Sequence, residues 1–306
     1  MKQSTSRLLM IRPLSFRHNE ETNDNTFQNE SSAAAEDIRL AAIAEFDAFV
    51  DRLRAKGISV VVRDSDLAAD TPDALFPNNW ISFHADERVA IYPMKAENRR
   101  RERREDLIFE VCNEFGLSVD EVVDFTEFED HDSYLEGTGS MVLDRVNRVC
   151  YAALSERTDE HAVDLFCETF GYEAVCFNTA LHQKPVYHTN VVMCIGTGFA
   201  TVCLDVIPDQ NERAHVRARL AESGKTMVEI SVDQLQAFAG NMLEVLNEEG
   251  KTYIVLSERA MGSLTPAQIS TLSQHGELLA VALPTIELHG GGSARCMLCE
   301  VFLPLI

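Results

Sequence analysis

Apolar residues along the chain fall into short runs separated by polar turns, and the runs recur in a fixed order. Residues 80–83 and 89–92 are two apolar stretches joined through Asp86 and Glu87. The same pairing returns at 141–143 and 149–152, at 191–195 and 200–204, and at 242–246 and 252–256. Short apolar runs bounded by turn residues read as strands, and each pair reads as a hairpin. After each hairpin the apolar residues change to three- and four-residue steps, the helical period. The predicted helices cover 107–115, 161–170, 212–223 and 266–275. Gly116 and Gly171 stop the first two, as glycine does just past a helix end. A further strand follows in the later units, at 173–177, 226–230 and 278–282. The repeating unit is strand, strand, helix, strand.

The two ends of the chain carry the same elements in a different arrangement. Residues 8–12 read as a strand stopped by Pro13, whose missing N–H cannot continue a ladder. Residues 16–30 are polar, with asparagines at 19, 23, 25 and 29. That is long for a structureless connection and points to a functional loop. From Ser31 the pattern turns helical through Ala35, Ile38, Ala42, Phe46, Phe49 and Leu53, Gly57 ends it, and a strand follows at 58–62. Near the other end, Gly290, Gly291 and Gly292 suit a loop where backbone approaches something closely. Cys296 then enters a short final strand at 301–303.

One polar residue stands just before the first strand of each unit: Asn79, Glu136, His188 and Asn241. They lie 57, 52 and 53 residues apart, and Gly290 comes 49 further on. A period near 50 implies a repeat architecture. The final strand has no downstream hairpin partner, so it is expected to pair with the strand at Leu8 and remove an open edge. The expected fold is α/β: a fivefold pseudo-symmetric propeller of ββαβ units, one domain over residues 1–306. Equivalent ends of the units would then meet at the axis, with Asn79, Glu136, His188 and Cys296 in one pocket.

Composition narrows the function. Apolar residues make up 45% and charged residues 25% of the 306, an ordinary globular balance. A net charge of −22 argues against nucleic acid as a partner. Five arginines between positions 97 and 110 sit among acidic residues and read as a solvated helix face with mixed ion pairs. The eight cysteines lie mostly in apolar runs, which is core usage in a reducing compartment. Residues 1–7 lead into only a short apolar run, read as no signal peptide, and there is no span of about 20 apolar residues. The expected location is the cytoplasm, with no membrane contact.

A thiol, an imidazole and a carboxylate are the parts of an activated-cysteine hydrolase. Cys296 would need a base or a lowered pKa to act at neutral pH. His188 would serve as that base and later protonate a leaving amine, with Glu136 orienting the imidazole. Singly, each residue also has a structural reading: a buried cysteine beside a turn, a strand-edge histidine, a capping carboxylate. Convergence on one axis tips the set towards catalysis. Metal binding is the competing use. Cys296-x-x-Cys299 is half of a zinc site, but no second half exists, and a strand sends residues three apart to opposite faces. Glu129-Asp130-His131-Asp132 reads as a solvated acidic loop. No glycine fingerprint for a nucleotide is present, so neither metal nor cofactor is expected.

The segments Phe76-Pro77-Asn78-Asn79-Trp80, Leu135-Glu136-Gly137, His188-Thr189-Asn190 and Gly290 through Met297 together resemble the guanidino-group-modifying superfamily, the penteins. The likeness covers nearly the whole chain, including Arg12-Pro13 and the asparagine-rich loop, and is nearest to the citrulline utilisation hydrolase, or amidinotransferase-related, branch. It implies a fivefold α/β propeller. It implies Cys296 as nucleophile on a planar guanidino or ureido carbon, His188 as general acid and base, and Glu136 as partner to the histidine and a substrate nitrogen. The deiminases of this superfamily carry aspartate where this chain has Asn79 and Asn190. A guanidinium wants carboxylates, whereas a carboxamide offers both a donor and an acceptor to a neutral ureido group. The resemblance with these departures implies hydrolysis of citrulline to ornithine, ammonia and carbon dioxide through a covalent thiol adduct. A guanidino enzyme acting on arginine (dihydrolase, deiminase or amidinotransferase) is the alternative, and a pentein-fold binding protein the non-enzyme alternative. Expected substrate contacts are Asn79, Asn190, Phe76 and Asn25, with Arg12 and Arg17 as further candidates for the amino acid end. The partner is a small ureido or guanidino amino acid, and a homo-oligomer is compatible with the sequence.

Overall fold

A computed structural model describes residues 2–29 and 33–306. Its strands form five three-stranded sheets. Four follow the repeating unit: Ile81–Phe83 with Arg88–Ile91 and Glu121–Asp124; Met141–Asp144 with Val149–Leu154 and Glu173–Asn178; Met193–Ile195 with Phe199–Val202 and Thr226–Glu229; and Leu243–Leu246 with Thr252–Ser257 and Glu277–Val281. In each, the first pair is antiparallel and the last pair parallel. A tight turn suffices for the former, and the latter needs the helical crossover. The fifth sheet takes its strands from both ends of the chain. Arg7–Arg12 lies parallel to Ser59–Asp64 and antiparallel to Cys299–Glu300, with Leu9 opposite Cys299. The helix Ala35–Arg54 makes its crossover.

The crossover helices bury one stripe each. Glu160–Phe170 shows how the sequence builds one. Asp159 caps it by accepting from the Ala162 N–H, Gly171 ends it in the left-handed region, and Ala162, Val163, Phe166, Cys167 and Phe170 face the sheet. The Phe166 and Phe170 rings stack 4.8 Å apart. Truncating either to alanine would cost about 3–5 kcal/mol.

The structure departs from expectation in four places. The strand Glu121–Asp124 was not predicted, because its four residues are mostly exposed and give no apolar run. The terminal strand is Cys299–Glu300 rather than 301–303, and Val301 instead bridges to Phe83 of the neighbouring sheet. The residues before the first strands form single helical turns, Pro77–Asn79, Gly137–Ser140 and Thr189–Val192, so 191–192 is helical and not strand. Gly290 closes a helix, Pro284–Gly290, and does not belong to a loop. Ser31, the expected start of the long helix, lies outside the described residues. Among the described residues no helix is long and apolar enough to cross a membrane.

Candidate active site

Each helical turn before a first strand presents a polar side chain. Glu136 caps its turn, with its carbonyl accepting from the N–H groups of Gly139 and Ser140. His188 precedes Thr189–Val192 and sends its ring to Glu136, with Nε2 2.8 Å from Oε2. The Glu136 carboxylate is fully buried. It also accepts from the Lys95 N–H at 3.1 Å, and Arg157 Nη1 and Arg99 Nη1 stand 3.6 and 3.7 Å away. Burial alone would raise this carboxyl, but Arg157, the His188 hydrogen bond and Arg99 together hold it well below the ordinary range. An ionised Glu136 only accepts, so His188 Nε2 carries the proton and Nδ1 is left as the acceptor. Burial outweighs the pull of Glu136 on the imidazole and keeps it below its ordinary pKa, hence neutral at pH 7.

Gly139 explains why the Leu135-Glu136-Gly137 segment continues with a second glycine. A Cβ there would lie 2.3 Å from Asn79 Nδ2 and 2.8 Å from His188 Nδ1. Only hydrogen fits where these two side chains meet.

Cys296 sits in a single turn, Ala294–Met297, and not at a strand entry. Its thiol accepts from Asn241 Nδ2 at 3.2 Å and points to Asn190 Oδ1 at 3.7 Å. Burial pushes the thiol above its ordinary pKa, and the Ser293 backbone, Asn241 and Arg295 pull only part of the way back. Cys299 faces elsewhere, donating to the Ile81 carbonyl at 3.5 Å.

The opposite wall is charged. Arg99 holds Glu102 through two bonds of 2.9 Å, and its Nη1 donates to Asn79 Oδ1 at 2.9 Å. Arg157 grips Asp24 through bonds of 2.9 and 2.7 Å. Asp73 accepts from Asn19 Nδ2 at 2.7 Å through one oxygen, while the other is buried with no hydrogen-bond partner among the described residues. Burial pushes this carboxyl up. The roof is the Gly291 carbonyl, which accepts from Tyr187 Oη at 2.5 Å and Asn25 Nδ2 at 3.3 Å. Gly291 takes a φ of 61°, so a side chain is disfavoured, and Asn25 Nδ2 would lie 2.5 Å from a Cβ.

Between the walls is a cavity of about 10 Å³, room for roughly one water. Cys296, His188, Asn79, Phe76 and Asn25 line it. Glu136 and Asn190 stand one contact back, against His188 and Cys296. Arg12 and Arg17 do not reach it: Arg12 pairs with Asp47, and Arg17 with Asp70 and Glu20. Asp73, Arg99, Arg157 and Tyr187 line it without having been singled out. Arg99 is a correction, since its arginine-rich segment reads as a solvated face. Arg100, Arg103 and Arg104 do make the mixed ion pairs of such a face, but Arg99 is 2% exposed. Asp73 could have been flagged by standing three residues before Phe76.

The family model for N,N dimethylarginine dimethylhydrolase, eukaryotic, matches residues 12–303. In fold the chain is similar to an arginine dihydrolase from the ornithine–ammonia cycle in cyanobacteria, with TM-score 0.75 and 17% identity over 98% of this chain and 41% of that one. It thus spans about two fifths of that enzyme, and 99% of its separately solved N-terminal domain bound to substrate (TM-score 0.74, 16% identity, 98% of this chain). It is also similar to a dimethylarginine dimethylaminohydrolase mutant from Pseudomonas aeruginosa complexed with citrulline, with TM-score 0.61 and 13% identity over 96% of this chain and 98% of that one. No curated protein matches in sequence. Fold and family match together place the chain in the guanidino-group-modifying superfamily, the penteins. Within that superfamily the chain belongs to the family described as N,N dimethylarginine dimethylhydrolase, eukaryotic.

Proposed function

We propose that the protein hydrolyses the ureido group of citrulline to ornithine, ammonia and carbon dioxide, with Cys296 as nucleophile, His188 as general acid and base, and Glu136 fixing the histidine. The observation that carries the substrate is the orientation of Asn79. Arg99 Nη1 donates to its Oδ1, which leaves the NH2 of Asn79 where an aspartate would put a second oxygen. The Asn79 NH2 gives one hydrogen to Asn78 Oδ1 at 3.3 Å, and the other has no acceptor among the described residues. A free donor beside the reacting carbon wants a carbonyl oxygen, which a ureido group has and a guanidinium lacks. The unpartnered oxygen of Asp73 suits the ureido N–H groups.

In this reading His188 Nδ1 takes the thiol proton and Cys296 sulfur bonds to the ureido carbon. The developing oxyanion meets the Asn79 N–H. The C–N bond then breaks as His188 returns the proton to the leaving nitrogen, and a thiocarbamate remains. Water loses a proton to His188, attacks that carbon and expels the thiolate. The carbamic acid released decomposes to an amine and carbon dioxide. Phe76, which lines the cavity, lies against the substrate side chain in this reading.

A second reading rests on Asp73. A buried carboxylate oxygen without a partner among the described residues is also what a guanidinium needs, and this favours arginine or a methylated arginine. Ammonia release from citrulline, arginine, agmatine and methylarginines separates the two. Citrulline turned over at least tenfold faster than arginine supports the ureido reading; the reverse preference transfers the proposal to the guanidino substrate. We further read residues 1–306 as one cytoplasmic domain whose sheets close as a propeller, supported by the pairing of Leu8 and Leu9 with Glu300 and Cys299.

A further inference from the structure

We infer that Asn241 is the residue that holds the Cys296 sulfur and sets how readily it ionises. This rests on Cys296 being the nucleophile. Asn241 occupies the fourth unit's version of the position that gives Asn79, Glu136 and His188 in the others, and it is fully buried. All of its polar atoms are used at the site. Nδ2 donates to Cys296 Sγ at 3.2 Å and to the Asn190 carbonyl at 2.9 Å, and Oδ1 accepts from the Arg295 N–H at 3.0 Å. One amide thus anchors the turn that carries the thiol from in front and donates to the sulfur itself.

The Ser293 backbone also supports the sulfur, and among the described residues Asn241 is the side chain that donates to it. His188 spends Nε2 on Glu136, and the opposing Asn190 Oδ1 can only accept. The charged and titratable groups facing the thiol's surroundings are His188, Tyr187, Arg295, Arg157, Arg99 and Asp73. Of these the arginines are already committed: Arg295 to Glu300 and the Leu298 carbonyl, Arg99 to Glu102, Arg157 to Asp24. A neutral N–H donor bonded to sulfur favours thiolate over thiol.

The test is the pH profile of Cys296 alkylation by iodoacetamide, followed by peptide mapping, on the full chain without substrate. Asn241→Asp keeps the acceptor for the Arg295 N–H and removes the donor. Asn241→Ser keeps a donor. The Asp variant is expected to alkylate Cys296 at least tenfold more slowly at pH 8, with its profile displaced to higher pH, while the Ser variant stays within about threefold of wild type. In steady state the Asp variant is expected to lose kcat with KM nearly unchanged. Folded Asp and Ser variants that both show the wild-type alkylation profile would overturn the inference, even if turnover falls. If Asp does not fold, a Ser profile displaced as far as that of Asn241→Ala does the same. Near-normal turnover by Cys296→Ala would instead sink the assignment of the nucleophile, and the alkylation profiles would still judge the Asn241 contact.

Discussion

On one side of the cavity stand Arg99, Arg157 and Asp73, with Glu102 and Asp24 paired to the two arginines. On the other stands Cys296 with Asn190 and Asn241, amides that carry no charge. The charged wall is stable only because nearly every member is paired in bidentate fashion, Arg99 with Glu102 and Arg157 with Asp24. Removing one partner of a buried pair costs about 3–5 kcal/mol, since a charge is left unpaired. The carboxamide wall has no such stake in folding. Its thiol is held above its ordinary pKa by burial. The contrast divides the labour: paired charges hold the fold around the cavity, and in the proposed reaction neutral donors and acceptors meet the reacting carbon.

The sharpest way to test that division is to mutate one residue on each wall. Cys296→Ala should lower turnover by about 10³-fold or more while leaving the thermal transition within a few degrees. Arg157→Ala should lose activity and also about 3–5 kcal/mol of stability, because Asp24 and Glu136 lose their partner. Equal stability of the two variants in urea titration would erase the distinction. Cys299→Ala serves as a control that should retain activity.

A smaller effect is expected where the two walls touch. Gly139→Ala drives a methyl against both Asn79 and His188, and a displacement of about 1 Å at the site costs about 10²-fold in rate. Crystallography of the variant should show one of the two side chains turned away; unaltered kinetics would mean that the contact is slack.

Restoring carboxylates, as Asn79→Asp with Asn190→Asp, carries charge from one wall to the other. Citrulline turnover should weaken, and arginine should bind more tightly by about 1–3 kcal/mol, read as an inhibition constant. Arginine inhibition unchanged by the double substitution would remove Asn79 and Asn190 from the specificity argument.

The smallest expected effect is on acid stability. The folded pKa of Glu136 lies below the ordinary glutamate value of 4.5. Its contribution is therefore present above pH 4.5 and lost as pH falls through the folded value. Glu136→Gln should show a shallower loss of stability below pH 4.5 than wild type in denaturant titrations at several pH values. An identical acid limb would mean that the carboxylate is not held ionised by Arg157 and Arg99.

The residues proposed for the chemistry were more legible than the charged wall. Glu136 and His188 stand at the same place in successive units of a repeat with a steady period, and Cys296 follows the glycines that come next in that series. Asn241 was visible in that series too, but nothing in the sequence tells a sulfur donor from a loop asparagine. Arg99 was misread, since one residue in a run of arginines turns inward and composition cannot say which. Arg157 and Asp24 are 133 residues apart, and a pair joined only by the fold leaves no local pattern. The strand Glu121–Asp124 was missed for a related reason: only Val122 and Val123 are apolar, too short a run to signal a strand, and its pairing with Arg88–Ile91 is made by the backbone.

The most direct test is the mass of Cys296 itself. Wild type mixed with citrulline, quenched in acid within the first turnovers and digested, should yield the Cys296 peptide carrying a thiocarbamate. A bare carbamoyl group on the sulfur means that ornithine leaves first, and a carbamoyl group still bearing ornithine means that ammonia does. The adduct should be absent from Cys296→Ala and should accumulate when the water step is slowed. An unmodified Cys296 throughout steady turnover, with Cys296→Ala still active on citrulline, would contradict the covalent thiol mechanism.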